Sequence, residues 1–185
     1  MRQINRNGFH IGTGFPIVRL RNDLDGESEM SIYLPYLLAL GIGFIAGLRA
    51  MTAPAAIAWA AHLGWLPLTG TPLAFMGSVW AVGIFSLLAL FELVSDQLPS
   101  TPSRKVPVQF GTRLLMGALC GAAIGAAAGT LLAGLACGVA GAVLGTYIGA
   151  AVRGALAKAF GKDLPAALLE DVIALGGAFL LVHGL

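Results

Sequence analysis

The chain has 185 residues, of which 57% are hydrophobic and 11% are charged, and its formal net charge is +2. Soluble domains carry about 25% charged residues, so a water-soluble globule is not expected. The small net charge also argues against a nucleic-acid partner. Long apolar runs separated by short basic segments predict a polytopic, all-α membrane protein whose main partner is the lipid bilayer.

The first 29 residues are polar and contain four arginines and four acidic residues. They lack the apolar core of a signal peptide. We interpret 1–29 either as a disordered N-terminal tail or as translated upstream sequence with the true start at Met30. The second interpretation is favoured, because Met30 directly precedes the first apolar run. A transmembrane domain then covers 30–185.

Five spans are predicted in this domain, and the first of them is broken. Its first apolar run ends at Arg49, and a second run, which contains Pro54, follows as a kinked continuation or a half-inserted segment. One straight helix over both runs would overshoot a bilayer, which about 20 residues span. The predicted spans are 32–49 with its continuation 50–66, then 73–94, 114–132, 134–152 and 164–183.

The run 114–152 contains no charge and no proline, and its length predicts two spans joined by a tight turn near 132–134. Glycine recurs at every fourth position in both halves. This spacing lets another backbone approach closely, so that van der Waals packing drives association in lipid, within one chain or in a homo-oligomer. The predicted helix-packing residues are Gly117, Gly121, Gly125, Gly129, Gly141, Gly145 and Gly149.

The distribution of lysine and arginine predicts the orientation of the spans. Basic residues lie before the first span and in 97–113 and 153–162, whereas 62–72, the predicted turn and the C-terminus have none. Five spans, with the N-terminus cytoplasmic and the C-terminus outside, satisfy the positive-inside rule in a bacterial inner membrane. Six spans, with 50–66 crossing separately, would place Arg104, Lys105 and Arg113 outside.

A weak internal similarity relates 40–55 to 144–159 and aligns Arg49 with Arg153. In the five-span topology these two helices run in opposite directions, as they do in transporters built from inverted repeats. Chance similarity between two helices rich in glycine and alanine is an equal explanation.

Charged residues inside the predicted spans are candidates for function, because burying charge in lipid is unfavourable. Two acidic pairs are expected near the cytoplasmic side, and Arg49 is expected toward the other side. The candidates for a polar cavity on a transport path are Arg49, Glu92, Asp96, Arg153, Glu170 and Asp171. The alternative is that the acidic residues pair with loop arginines and only fix the ends of helices.

The segment 99–105 combines hydroxyls with basic residues, a combination suited to an anion or a lipid headgroup, although a plain structured loop is the simpler explanation. The candidates for such contacts are Ser100, Thr101, Ser103, Arg104, Lys105 and Arg113. Cys120 and Cys137 are expected to be reduced thiols. The sequence shows no catalytic constellation, no metal-ligand spacing and no cofactor fingerprint, so none of these is predicted.

Three stretches of the chain are GIGFIAGLRAMTAPAAIAWAA at 41–61, FELVSDQLPSTPSR at 91–104 and LLEDVIALGGAFLLV at 168–182. They resemble a family of small bacterial membrane proteins, domain-of-unknown-function family 4126. The similarity lies in a Gly-Leu-Arg in the first span, an acidic–Asp–x–x–Pro run after the second, and an acidic residue opening the last. It covers about 32–183 and implies a polytopic inner-membrane protein, with no catalytic residues to transfer.

The function predicted from these features is movement or conduction of a small solute or ion along the charged residues of the bundle. A structural or assembly subunit, in which the charges only hold helices together, is the second hypothesis. A lipid-headgroup-modifying enzyme is the third. Enzyme activity is not expected, because no pair of nucleophile and base is visible.

Overall fold

Helices dominate the part of the chain that the computed structural model describes, which is residues 16–96 and 106–185, with side chains from residue 32 onward. In chain order they are α1 (Pro16–Leu48), α2 (Thr52–His62), α3 (Val79–Ser95), α4 (Pro107–Ala127), α5 (Leu131–Phe160) and α6 (Asp163–His183), with a 3₁₀ turn at Ala74–Gly77 before α3. No strand occurs in these residues, so the predicted all-α class is confirmed.

The chain divides into two compact units, Met1–Leu34 and Pro35–Leu185. α1 begins at Pro16, so the second half of the segment predicted to be a disordered tail is helical. A start at Met30, the alternative for this segment, stays a prediction. The larger unit contains the last part of α1 and all of α2 to α6.

Local sequence explains where several helices of the larger unit begin and end. The Ser78 hydroxyl accepts a hydrogen bond from the Ala81 N–H at 3.1 Å and so caps the start of α3. Pro107 opens α4, a position where its missing N–H does no harm. α5 runs two turns beyond its predicted end and stops at Gly161, whose φ of 67° suits glycine.

The turn between α4 and α5 lies at 128–130, so its predicted position at 132–134 is wrong. Gly129 occupies this turn with a φ of 72°, a conformation that side chains other than glycine rarely adopt. Its assignment to helix packing is therefore also wrong. The four-residue spacing of the glycines concealed the turn, because spacing alone does not distinguish a packing glycine from a turn glycine.

The outer surface of the larger unit is strongly apolar. α4, α5 and α6 are each long and apolar enough to cross a membrane, and 32–48 of α1 and all of α3 are shorter apolar helices. Large side chains on these helices are exposed, including Trp80 at 81%, Phe91 at 71% and Leu180 at 70%. Soluble proteins rarely expose so much contiguous apolar surface, so these faces fit a lipid environment.

α1 and α6 are antiparallel. Gly41 of α1 lies against Leu181, near the end of α6, and Ile45, which comes later in α1, lies against Gly177, which comes earlier in α6. Apolar residues from α1, α2, α4 and α6 then meet in one hydrophobic core. The small residues of this interface allow the two helices to pack closely.

α2 reverses the direction of α1 and does not continue it. Arg49, just before α2, contacts Asp171 of α6, whereas Trp65, just after α2, lies 5.5 Å from His183, measured between ring centres. α2 is therefore parallel to α6 and antiparallel to α1. The prediction of a kinked continuation is wrong, because the chain turns back at 49–51 and returns through α2 and the residues after it.

Helix directions alternate through the larger unit, so the bundle has two ends. We call the end at the junction of α1 and α2 the break end, and the end at Gly129 and His183 the turn end. α1 runs toward the break end and α6 toward the turn end, so Pro35 and His183 both lie toward the turn end. The placement of the chain's two termini on opposite sides stays a prediction.

α1 and α5 are parallel, because Gly43 lies against Gly138 and Gly47 lies against Ala142. The inverted relation expected for 40–55 and 144–159 is therefore wrong. The similarity between these stretches is that of two glycine-rich helices that run side by side in the same direction.

Backbones approach closely where α5 meets α4 and α1. A Cβ atom added at Gly121 of α4 would come closer than 3.0 Å to backbone atoms of Gly134 and Gly138 in α5. Five of the predicted glycines have backbone neighbours this close: Gly117, Gly121, Gly125, Gly141 and Gly145. Four glycines absent from the prediction share this property, namely Gly43, Gly47, Gly134 and Gly138, and Gly149 is buried.

Candidate functional site

The junction between α1 and α2 interrupts the backbone hydrogen bonding inside the bundle. α1 ends at Leu48 and α2 starts at Thr52, which leaves carbonyls at the end of one helix and N–H groups at the start of the next. Away from water, each unsatisfied backbone group costs several kcal/mol. Such a break therefore needs partners from other helices.

Glu92 of α3 supplies the partner for the N–H groups. Its carboxylate accepts hydrogen bonds from the backbone nitrogens of Ala50, at 2.7 Å to Oε1, and Met51, at 2.8 Å to Oε2. Both carboxylate oxygens are thus used by two consecutive N–H groups. Glu92 holds the start of the returning chain against the end of α3.

Arg113 of α4 supplies the partner for the carbonyls. Its Nη1 donates to the carbonyl oxygens of Gly47, at 2.8 Å, and Leu48, at 2.5 Å. The Thr146 hydroxyl of α5 lies 3.3 Å from the same Gly47 oxygen. Arg113 also approaches Glu92, with 3.9 Å between Nη2 and Oε1. Glu92 and Arg113, which bind the free backbone groups at the break, therefore also attract each other.

Arg49 lies in the break itself, and its side chain is fully buried. Nη1 donates to Asp96 Oδ2 at 2.6 Å and lies 3.4 Å from the carbonyl oxygen of Glu92. Nη2 donates to Asp171 Oδ1 of α6. One guanidinium thus bridges two carboxylates from different helices, a use for which its planar fork of donors is well suited.

Arg153 of α5 extends the network toward the outside of the bundle. It forms two hydrogen bonds with Asp163, of 3.1 Å from Nε and 2.6 Å from Nη2, and Nη1 lies 3.6 Å from Glu170 Oε2. Its Nη2 also lies 3.4 Å from the carbonyl oxygen of Asp96. Asp163 is exposed and Glu170 is buried, so Arg153 connects the rim of the cluster to its interior.

The structure gathers all six predicted polar-cavity residues at the break end. They form two groups of contacting residues. Arg49 contacts Glu92, Asp96 and Asp171, and Arg153 contacts Glu170. The expectation that Arg49 lies toward the other side is wrong, because the chain reverses after α1. The prediction assumed that the chain passed straight on through the membrane at this point.

Several residues of this site were missed or assigned to a different role. Arg113 was predicted to contact an anion or headgroup near the 99–105 loop, whereas it binds the end of α1. Asp163 and Thr146 were not predicted at all. The other proposed headgroup contacts, Ser100, Thr101, Ser103, Arg104 and Lys105, lie outside the described residues.

Two cavities are lined in part by charged residues of the cluster. One, of about 260 Å³, lies between α3 and α4 and is lined by Glu92, Asp96 and Arg113 among apolar neighbours. The other, of about 160 Å³, is lined by Arg153 and Glu170 together with apolar residues of α1, α5 and α6. The cavity between α3 and α4 exposes some polar surface, whereas the smaller cavity is almost entirely apolar although Arg153 and Glu170 are among its lining residues.

The two cysteines are not among the charged residues of this site. Cys120 and Cys137 are free cysteines, as expected. Across 32–96 and 106–185, no group of three or more His, Cys, Asp or Glu side chains is placed to hold a metal ion.

The apolar exterior and the charged interior at one end define the chain as a helical membrane protein. Its sequence matches the model of the domain of unknown function DUF4126 over residues 36–184, so the chain belongs to that family. This confirms the resemblance seen in the sequence. No similar curated protein and no similar solved structure was found.

Proposed function

We propose that this protein moves or conducts a small solute or ion across a membrane, with the charged cluster at the break end on its path. The observation that carries this proposal is the interrupted α1–α2 helix pair, whose backbone ends are held by charged side chains inside the bundle. Backbone that is not helical occurs at membrane depth only where it is buried in protein or lines a water-filled cavity.

The depth of the break supports this role. Asp171, the partner of Arg49, lies eight residues after the start of α6 at Asp163, which corresponds to about 12 Å along the helix. The charges of Arg49 and Asp171 therefore lie well inside the helical bundle. Ionisable groups at such depth commonly mark substrate or ion pathways.

The charged residues of the two cavities are linked through Arg49. Arg49 contacts Asp96, which lines the cavity between α3 and α4, and Asp171, which is the chain neighbour of Glu170 in the smaller cavity. We therefore assign Arg49 the central position among the charged residues of the proposed path, with Glu170 and Arg153 beside it.

The break end is proposed to face the cytoplasm of a bacterial inner membrane. Arg153, Lys158 and Lys162 lie toward this end, whereas the connection between α2 and α3, at the turn end, has no lysine or arginine. The positive-inside rule then places the turn end outside. In this orientation the chain of the larger unit passes between the two ends six times, with α2 and the residues that follow it counted as one passage, whereas five spans are predicted from the sequence.

Glycine packing is part of the same proposal. The close approach of α4 and α1 to α5 gives the cluster a rigid wall, because three backbones meet with little side-chain freedom between them. Association of two or more copies, predicted from the same glycines, would use the outer faces of the bundle.

A structural role is the second candidate, and the full burial of Arg49 between two carboxylates favours it. Buried ion pairs can fix how helices assemble without binding anything else. A lipid-headgroup enzyme stays an untested prediction.

Flux into sealed proteoliposomes distinguishes the first two candidates. The full chain is reconstituted with a gradient of protons, small cations or small anions, beside a Glu170→Gln variant. We expect flux in the parent and its loss in Glu170→Gln, because the buried carboxylate at the path is neutralised while the side chain keeps its size.

Asp163→Asn is the matched control, since Asp163 contacts the same arginine from the exposed rim. This variant should keep most of the flux. If both variants fold and neither changes the flux, Glu170 does not lie on the path. If no tested species moves, conduction of those species is refuted and the structural role is favoured.

A further inference from the structure

We propose that the N–H groups of Ala50 and Met51, together with Arg113, form a binding site for a small monovalent anion, and that the Glu92 carboxylate occupies this site in the structure. The inference rests on the proposed transport function and names the class of species that the cluster recognises. Halide and nitrate are the chemical representatives of that class.

The donors of the site converge on one place. The Ala50 and Met51 nitrogens lie 2.7 and 2.8 Å from the two oxygens of Glu92, and Arg113 Nη2 lies 3.9 Å from Oε1. Two consecutive backbone N–H groups and a guanidinium form a concave set of donors, of the kind that binds anions in other proteins. Within this set, a carboxylate has the charge and acceptors of a free monovalent anion.

The start of α2 adds to the attraction for negative charge. α2 has 11 residues, and its N-terminal end directly follows Ala50 and Met51. The partial positive charge of a helix N-terminus favours an anion there, most strongly when the surroundings exclude water. Glu92 supplies that negative charge from α3, and a free anion at the same place would supply it equally.

Two further donors at the break lack partners. The Thr52 hydroxyl, in the first residue of α2, and the Arg49 Nε are buried, and neither has a hydrogen-bond partner among the described residues. Thr52 is 3% exposed and Arg49 is 0% exposed. Buried polar groups are normally satisfied, so these two donors, on the residues that flank Ala50 and Met51 in the chain, can each take an additional acceptor.

The adjoining cavity gives Glu92 room to leave. Glu92 lines the cavity of about 260 Å³ between α3 and α4, beside the polar side chains of Ser95, Gln109 and Thr112. Rotation about the side-chain bonds of Glu92 would move its carboxylate toward these groups and clear the donors. An anion that enters through the cavity then competes with Glu92 for the same N–H groups.

Competition with Glu92 predicts a graded series of affinities. Glu92→Ala removes the competing carboxylate, and Glu92→Gln keeps a neutral amide that binds the N–H groups less strongly. A site that is occupied by its own ligand about 90% of the time binds an added ligand about tenfold more weakly. Bromide should therefore bind Glu92→Ala at least tenfold more tightly than the parent, and Glu92→Gln should lie between them.

The experiment is a titration of the full chain, in detergent, with sodium bromide. Binding is measured by calorimetry and by the rise in unfolding temperature. Sodium replaced by choline shows whether the effect belongs to the anion, and Asp163→Asn controls for the loss of a carboxylate elsewhere in the cluster. The site is supported if bromide binding is saturable, with the highest affinity in Glu92→Ala, a lower affinity in Glu92→Gln and the lowest in the parent. Equal or absent binding in all three overturns it.

The bromide result is independent of transport, because it needs no sealed membrane. Bromide binding without flux of any tested species counts against the proposed function for those species and leaves the anion site standing. Flux of cations, with no bromide binding by either Glu92 variant, overturns the anion site and supports the proposed function. If Glu92→Ala unfolds even in bromide, the test uses Glu92→Gln instead. Bromide binding by Glu92→Gln that is no tighter than bromide binding by the parent then counts against the site.

Discussion

Two regions of the bundle solve the same problem, the close approach of backbones in lipid, in opposite ways. Where α4 and α1 meet α5, side chains are absent and glycine backbones touch directly. At the break end, long charged side chains from α3 and α4 reach across to the interrupted backbone. The glycine region leaves every helix intact, whereas the charged region exists because one helix pair is broken.

The difference indicates which region is available for function. Glycine contacts between continuous helices have a single favourable arrangement, because even one added carbon would collide with backbone. The hydrogen bonds at the break are made by side chains with several rotatable bonds, and the anion site proposed above requires that one of these side chains, Glu92, can leave its partners. Direct backbone packing and longer polar side-chain contacts therefore lie side by side in one bundle.

The largest effect is expected from Arg49→Met. It leaves the carboxylates of Asp96 and Asp171 buried without their shared guanidinium, and loss of one partner of a buried ion pair costs about 3–5 kcal/mol. Chemical unfolding in detergent should show this loss. The triple variant Arg49→Met, Asp96→Asn, Asp171→Asn should recover part of it. If Arg49→Met alone is as stable as the parent, the stability of the fold does not depend on the pairing of Arg49 with the two carboxylates.

A smaller loss is expected in the glycine region from Gly121→Ala. The added carbon would come closer than 3.0 Å to the backbone of α5, and overpacking of this kind costs about 1–3 kcal/mol. Helix propensity alone would favour alanine, so the sign of the change is the test. An increase in stability would mean that α4 and α5 are further apart than the structure places them.

The matched substitution Gly111→Ala should act in the opposite direction. Gly111 lies in the same helix, and an added Cβ there meets nothing within 4 Å. Alanine should then stabilise α4 by up to about 1 kcal/mol through its higher helix propensity. The comparison of Gly111→Ala with Gly121→Ala in one unfolding assay separates packing from propensity.

The smallest effect is expected at the rim of the charged region. Asp163 is 63% exposed, and exposed ion pairs contribute about 0–1 kcal/mol, an amount that salt reduces. Asp163→Asn should therefore change stability only slightly, and less at high salt. A loss as large as that of Arg49→Met would show that the rim is buried in the membrane-embedded protein.

The sequence was sufficient to predict the class of protein and most of the helices, since apolar length and charge depletion depend on composition alone. It also identified the acidic pairs on α3 and α6 from their location inside apolar runs. The reversal at 49–51 could not be predicted, because the residues there carry no turn signal and Pro54 lies within the first turn of α2. The misplacement of Arg49 followed from that one error.

The role of Arg113 could not be predicted for a different reason. Its partners are backbone carbonyls at Gly47 and Leu48, more than sixty residues earlier in the chain, and backbone groups leave no mark in a sequence. The packing glycines of α1 and early α5 were detectable in principle. Gly43 with Gly47 and Gly134 with Gly138 have the same four-residue spacing as those that were recognised.

The break also constrains the order of events during synthesis. Ala50 leaves the ribosome 42 residues before its partner Glu92, which takes several seconds at about 5–20 residues per second. Until then the bend at 49–51 has no internal partners, and α2, at 11 residues or about 16 Å, is too short to cross the hydrocarbon core alone.

A cysteine placed at Met51 in a cysteine-free chain should therefore react with a water-soluble maleimide when synthesis is arrested before α3, and become protected once α4 is made. That result would show that the first hairpin reaches its buried position only after the later helices are made.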